Sequence, residues 1–430
     1  MQSESEEQLI STVAGKLRWI LLTMMFVAFM DRTNISFVAA YMNKDIGLSA
    51  SQFGIGASLF FVGYFLFEVP SNLIMVKVGA RRWLARIMIT WGLVSACSAF
   101  IAGPHTYYAG RFLLGVAEAG FIPGVMLYLS YWSPQRYLGK FTAWFLLIVP
   151  VSASITALIT GVLLGLDQTL GLAGWRWAFL LEGIPAIFIG CLLLRYLAET
   201  PADARWLSNL QKTKLMALIA EGQREERGHP QGMMRDALRS PLVWVFGIAY
   251  FFLNIALGAQ TWFPLAMHSF HLARSTEIIA IAVPSALASV TMMLWARRSD
   301  RRNERVWHVV VPSAVSAAAW FACARMVQDP IALLVLITVA YASMYAALVV
   351  FWTMPTRFLS PAARPAGLAI ITALGLPGSM LSLSLGGHLR DTVGSFAPCF
   401  ALAAGGQFLC GLIALALIFA PFNKSLRVIA

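Results

Sequence analysis

Apolar runs of about twenty residues recur along this chain, separated by short polar stretches that hold most of its charge. A run of that length crosses the hydrocarbon core of a bilayer as a helix. Twelve are readable, near residues 17–41, 52–75, 83–102, 106–130, 138–165, 175–198, 242–265, 276–296, 306–326, 330–352, 365–386 and 396–421. One longer polar stretch, Glu199 to Ser240, separates the sixth run from the seventh, with room for a short surface helix around Trp206–Glu221. The pattern predicts an all-α integral membrane protein of twelve transmembrane helices.

The two sets of six runs echo one another. A helix starting near Arg18 corresponds to one starting near Leu242, and the basic loop Lys77–Arg82 corresponds to Arg301–Arg305. This is the signature of a parallel internal repeat. The predicted organisation is two six-helix pseudo-repeat halves, 1–198 and 241–430, joined by a linker loop, 199–240.

Composition agrees: 59% of the 430 residues are hydrophobic and 12% charged, which excludes an ordinary soluble domain. The net charge of +12 by itself suggests nucleic acid, but its placement does not. Most Lys and Arg fall on one set of loops and termini. Lys44, Arg176, Arg274, Arg325 and Arg390 fall on the other set, and Arg32 and Arg111 lie within runs. The positive-inside rule then puts both termini in the cytoplasm and removes any need for a nucleic-acid partner. The five cysteines show no metal or redox spacing. His105, His268 and His271 read as solvated loop histidines, not as metal ligands. The acidic start, Met1 to Glu7, has no basic n-region, so no removable signal peptide is expected. No phosphate-binding glycine loop or nucleophile elbow points to an enzyme, and the linker is too short for a nucleotide-binding domain.

Candidate chemistry lies in six ionisable residues inside the runs: Asp31, Arg32, Glu68, Arg111, Glu118 and Glu182, all in the first half. Each charge costs roughly 2.5–3.5 kcal/mol at a bilayer centre, so such residues are functional candidates. Four acids face two bases. At least two acids therefore lack an intramembrane cation, and an unpaired buried carboxyl holds a proton. Arg111 and Glu118, seven apart, share a helix face. Arg32 offers a forked donor set to a carboxylate. Tyr64 in the second run, Asn254 and Gln260 in the seventh and Trp352 in the tenth are neutral candidates, with ordinary membrane packing as the alternative for each.

The loops 77–82 and 300–305 and the stretches Pro134-Gln135-Arg136 and Glu199-Thr200-Pro201 resemble the major facilitator superfamily. Lys77, Gly79, Arg81, Arg82, Asp300, Arg301 and Arg136 correspond to its loop motifs, with Val76 where the first motif has an acid. Within it, the chain resembles the anion:cation symporters. The matching stretches are Asp31-Arg32-Thr33-Asn34-Ile35, Gly63–Asn72, Val78–Trp83, Arg111–Phe121, Gly174–Gly183 and Phe351–Thr356. The likeness is to a bacterial branch importing tartrate, phthalate or 4-hydroxyphenylacetate. Thr372 and Leu376 stand where helix 11 of that branch carries asparagines.

The resemblance implies two halves around a central cavity lined by helices 1 and 4, which brings Asp31, Arg32, Arg111 and Glu118 together. It implies a proton-coupled symporter that imports a small organic carboxylate by alternating access through a bacterial inner membrane. The expected substrate-binding residues are Arg32, Tyr64, Arg111, Asn254, Trp352 and Thr372. Asp31 and Glu118 are the expected proton carriers, with a Glu118–Arg111 pair as the structural alternative for Glu118. Glu68 and Glu182 read as structural. No metal or cofactor is expected beyond the proton as coupling ion, and the protein is expected to be a monomer. The alternatives are a drug:proton antiporter of the same fold, whose glycine-rich helix 5 signature is absent from Leu147–Ser154, and a non-transporting sensor, which would carry an extended tail beyond Phe422.

Overall fold

The computed structural model describes residues 6–226, 233–359 and 364–419; the side chains of 135–146, 222–226, 233, 364–365 and 418–419 lie outside that description. The described residues form seventeen α-helices, and twelve segments are long and apolar enough to cross a membrane. They match the twelve runs read from the sequence.

The first six spans are α1 (Glu6–Ile46), α2 (Ala50–Val78), α3 (Ala80–Cys97), α4 (Pro104–Glu118) continued by α5 (Phe121–Ser130), α6 (Gln135–Leu163) and α7 (Gly174–Tyr196). Two linker helices follow, α8 (Asn209–Glu226) and α9 (Met233–Arg239). The last six spans are α10 (Pro241–Ala259) continued by α11 (Trp262–His268), α12 (Arg274–Arg302), α13 (Trp307–Arg325), α14 (Pro330–Phe351) continued by α15 (Thr353–Phe358), α16 (Arg364–Val393) and α17 (Ala397–Phe419).

Three spans are broken, and a proline stands at the same place in each. A proline cannot donate to the carbonyl four residues before it. Pro123, Pro264 and Pro355 stand four residues after Ala119, Gln260 and Phe351, where α4, α10 and α14 end or have just ended. The freed carbonyl of Gln260 accepts from the Tyr341 hydroxyl at 3.3 Å, so a polar group exposed by the break is satisfied inside the bundle. At the first break Gly120 takes a left-handed φ of 82°, and a Cβ there would lie 2.6 Å from Ser71 Oγ.

Close helix crossings rely on small residues. A Cβ on Gly115 of α4 would lie 2.0 Å from the Phe60 carbonyl oxygen of α2, and one on Gly183 of α7 would lie 2.7 Å from the Gly92 carbonyl oxygen of α3. Such crossings bring backbones together where lipid offers no hydrophobic drive between helices.

The first and last six spans meet on the side away from the linker. There α2 runs against α16, with Ser58 Oγ bonded to Ser384 Oγ (2.8 Å) and to the Met380 carbonyl (3.0 Å). Beside it α6 runs against α12: Ser154 donates to the Ala282 carbonyl (3.0 Å) and Arg274 to the Leu164 carbonyl (2.7 Å). These bonds close the far side of the bundle.

On the linker side, α8 lies against the first six spans. Leu215 is fully buried and Trp206 stacks on Trp132 at 5.6 Å. This is the surface helix read from the sequence; α9, next to α10, was not foreseen.

Candidate functional site

The centre of the site is an ion pair between α1 and α4. Arg32 Nε donates to Glu118 Oε1 at 2.5 Å. Glu118 is the last residue of α4, immediately before the proline-induced break, and its side chain is 1% exposed against 19% for Arg32. The guanidinium lies 4.8 Å from the Tyr64 ring and 5.6 Å from the rings of Phe29 and Phe60. Aromatic faces stabilise a cation most where water is excluded. Glu118 takes only the Nε corner of the fork, and Nη2 is buried without a hydrogen-bond partner. The guanidinium therefore has donor capacity left for a second oxyanion.

This geometry replaces the Arg111–Glu118 pairing allowed by the seven-residue spacing. Arg111 is buried, its guanidinium is 5.1 Å from the Phe60 ring, and its Nε has no partner. Among the described residues no carboxylate lies within salt-bridge range of it. Arg32 reaches Glu118 because α1 and α4 face each other at that depth, whereas Arg111 sits two turns back towards the far side on the acid's own helix.

Asp31 turns away from Arg32. Its Oδ1 accepts from Ser95 Oγ of α3 and from Asn34 Nδ2 (3.3 Å), and it is 2% exposed. One acid of the adjacent Asp31-Arg32 doublet thus faces the interior of the first six spans, while the base faces Glu118. Consecutive helical residues point about 100° apart, so the doublet cannot address a single partner.

Glu68 of α2 is partly exposed and within electrostatic range of Arg32. Glu182 of α7 is buried and accepts from Thr160 Oγ1 at 2.6 Å.

The opposite wall comes from α10, α14 and α16. Tyr250 lies within electrostatic range of Arg32 across the bundle. Its ring is 4.8 Å from Trp352 and 5.6 Å from Phe351. Asn254 donates to the Tyr250 carbonyl (2.9 Å), and its Oδ1 accepts from Ser379 Oγ (3.2 Å). Gln260 accepts from the Tyr345 hydroxyl at 3.2 Å. Thr372 bonds back to the Leu368 carbonyl (2.9 Å), so its hydroxyl is occupied by its own helix. Sequence reasoning passed over Tyr250, Ser95 and Asn34. A tyrosine immediately before a Phe-Phe-Leu run carries no signal of its own, and the serine and asparagine matter only through the carboxyls they meet.

The loop motifs resolve differently in the two halves. Glu199 accepts from the backbone N–H groups of Ala80 and Arg81 (3.1 Å for Arg81), capping α3. Gly79, at φ 98°, leaves room for that carboxylate; a Cβ would lie 2.9 Å from it. Lys77 and Arg82 are exposed and Arg81 half-buried. Asp300 pairs with Arg305 at 2.7 Å, and Arg301 is exposed. The side chain of Arg136 lies outside the described residues. On the far side His268 is partly buried, bonded to Glu277 (3.0 Å) and packed on Tyr41, where the sequence suggested a solvated histidine. No group of three or more potential metal ligands occurs among the described residues.

The model of the Major Facilitator Superfamily matches residues 21–356. The chain belongs to this superfamily. As a member it is a multi-pass membrane transporter and not an enzyme. A relative from Agrobacterium vitis named as a tartrate transporter is 40% identical over 97% of this chain and 96% of its own. A metabolite transport protein of Pseudomonas putida, NicT, is 36% identical over 94% of each chain. A quinolone resistance transporter of Acinetobacter baumannii is 33% identical, covering 97% of this chain and 96% of its own. The crystal structure of a D-xylose-proton symporter superposes with a TM-score of 0.75 at 14% identity, covering 94% of this chain and 98% of that one. That likeness concerns the fold alone.

Proposed function

We propose that this superfamily member is a proton-coupled symporter importing a small organic carboxylate by alternating access. One observation carries the reading: Arg32 is held by Glu118 through a single corner of its fork, inside an aromatic cage, at the space between the two sets of spans. A substrate carboxylate and Glu118 compete for the same guanidinium. Protonation of Glu118 removes its charge and frees Arg32 for the anion. Loss of that proton restores the pair and expels the anion. Proton and substrate thus bind together and leave together. Tyr64 on the near wall and Tyr250 on the opposite wall supply hydroxyls to further substrate oxygens, and Trp352 closes the side of the slot. Arg111, buried with no carboxylate in salt-bridge range among the described residues, adds positive potential that draws the anion in.

With the termini in the cytoplasm of a bacterial inner membrane, the far side joined by the α2–α16 and α6–α12 bonds is the periplasmic one, the arrangement of an inward-facing carrier. The relatives named for tartrate and metabolite transport support an organic acid as cargo. The quinolone resistance relative favours a second reading, proton-driven efflux through the same site.

Uptake into proteoliposomes under an imposed proton gradient separates the two. The panel is tartrate, phthalate, 4-hydroxyphenylacetate, nicotinate and a quinolone. Accumulation of one acid that collapses with the gradient supports symport. Quinolone movement against proton entry, with no acid accumulated, overturns it.

A further inference from the structure

Between α1, α3, α6 and α7 lies a polar pocket separate from the Arg32–Glu118 pair. It holds Asp31 and Asn34 from α1, Ser95 from α3, Thr160 from α6 and Glu182 from α7, each under about a tenth exposed. Ser95 and Asn34 donate to Asp31 Oδ1, Thr160 donates to Glu182 Oε1 at 2.6 Å, and Asn34 adjoins the Glu182 carboxyl as well. Three oxygens remain: Asp31 Oδ2, Glu182 Oε2 and Asn34 Oδ1 are buried with no hydrogen-bond partner.

Buried acceptors without donors are rare in folded proteins. Two ionised carboxylates are acceptors only and cannot supply each other. A protonated carboxyl supplies an O–H, and the orphaned Asn34 Oδ1 is an acceptor for it. The charged side chains that face the pocket are few. Asp31 is the one facing Glu182; Arg111 and Glu118 face Asp31 from α4. Among the described residues no Lys, Arg or His lies within salt-bridge range of Glu182. The α3–α7 crossing beside it is backbone against backbone through Gly92 and Gly183.

We propose that Glu182 is a second proton-binding carboxyl, joined to Asp31 through Asn34, so that the first half stores protons in a pocket that the transported solute does not enter. The proton adds to Glu182 Oε2, forming an O–H bond inside the pocket. On release that bond breaks and no other changes. Protonation of either carboxyl alters the donors available to the other through the shared amide, so the two titrate as a pair. The use of this pocket in a transport cycle rests on the proton-coupled reading above; proton binding itself does not.

The test is pH-difference infrared spectroscopy of the full-length protein in lipid nanodiscs, with no solute added. The carbonyl stretch of protonated carboxyls is followed in wild type, Glu182→Gln, Glu182→Asp and Asn34→Leu. Glu182→Gln is expected to remove one buried protonated-carboxyl band and to change the proton affinity reported by the Asp31 band about tenfold. Glu182→Asp is expected to move the Glu182 band in frequency, and Asn34→Leu to move both. An unaltered set of bands in Glu182→Gln overturns the proposal. If that variant does not fold, an unaltered set in Glu182→Asp does so. Gradient-driven uptake of tartrate by wild type, run in parallel, keeps the two readings apart. A Glu182 band without any gradient-driven uptake defeats the coupling reading alone, and uptake with no Glu182 band defeats this proposal alone.

Discussion

Asp391, near the end of α16, accepts hydrogen bonds from the backbone N–H groups of Ser51 (2.7 Å) and its neighbour Ala50 (3.0 Å), at the start of α2. The first N–H groups of a helix have no partner within it and carry a partial positive charge. Ser49 takes the Gln52 N–H at 3.2 Å, and Asp391 takes two others. The cap of a helix in the first half is thus supplied by the second half. The backbones approach closely beside it: a Cβ on Gly387 would lie 2.3 Å from the Ala50 carbonyl oxygen.

Removing the charge at this joint weakens closure of the far side. Hydrogen bonds to a charged acceptor contribute about 1.5–3 kcal/mol, so Asp391→Asn is expected to shift the balance towards far-side opening about tenfold. Spin labels at Lys44 and Val393, exposed helical positions on the far side, would report longer distances in the variant. An unchanged distance distribution would show that packing alone holds the seam.

The Arg32–Glu118 pair makes separable predictions for exchange and accumulation. Glu118→Gln is expected to abolish gradient-driven tartrate accumulation while tartrate exchange across the membrane persists. Arg32→Lys keeps the charge but loses the fork, and is expected to weaken apparent tartrate affinity by about tenfold to a hundredfold. Radiolabelled counterflow compared with gradient-driven uptake measures both. Normal accumulation by Glu118→Gln would remove Glu118 from the coupling step.

Tyr250 faces Arg32 from the other half. Tyr250→Phe preserves the stack on Phe351 and the edge contact with Trp352 and deletes only the hydroxyl. One neutral hydrogen bond contributes about 0.5–1.5 kcal/mol, so KM for tartrate is expected to rise about threefold to tenfold. The maximal rate should change less. A KM equal to wild type places the Tyr250 hydroxyl outside the substrate shell.

Stability, as distinct from transport, depends on the glycine crossings. Gly115→Val would press a side chain into the α2 backbone at Phe60 and is expected to destabilise the protein by about 1–3 kcal/mol. Gly405→Ala, with nothing within 4 Å of the added Cβ, serves as the control. Thermal unfolding of the two purified variants gives the comparison; equal midpoints would mean that α2 and α4 can separate freely.

The twelve spans were readable because hydrophobic length alone specifies a bilayer crossing. The breaks were half-legible. The prolines stand in plain view, but that Pro123, Pro264 and Pro355 act alike follows from counting back to the freed carbonyl. The charged residues were legible as a set, since each is costly in an apolar run, and their pairing was not. The seven-residue spacing of Arg111 and Glu118 suggested a partnership on one helix; the contact between α1 and α4 gave Glu118 to Arg32 instead. Asp31 and Arg32 looked like one feature because they are adjacent, yet the helical turn sends them into different environments. Glu182 reads as structural because its helix is peripheral in the resembling fold, and its neighbours Asn34, Ser95 and Thr160 come from three other spans.

The docking of α8 against the first six spans, through Leu215 and Trp206, shortens the tether between the halves. Of the polar stretch that follows Glu199, the portion up to α8 travels with the first half as one piece. The second half has its own hold on the linker through α9, which packs against α10 and α16 with Ala237 fully buried. Both described linker helices are therefore committed to a half, α8 to the first and α9 to the second, and neither is free chain.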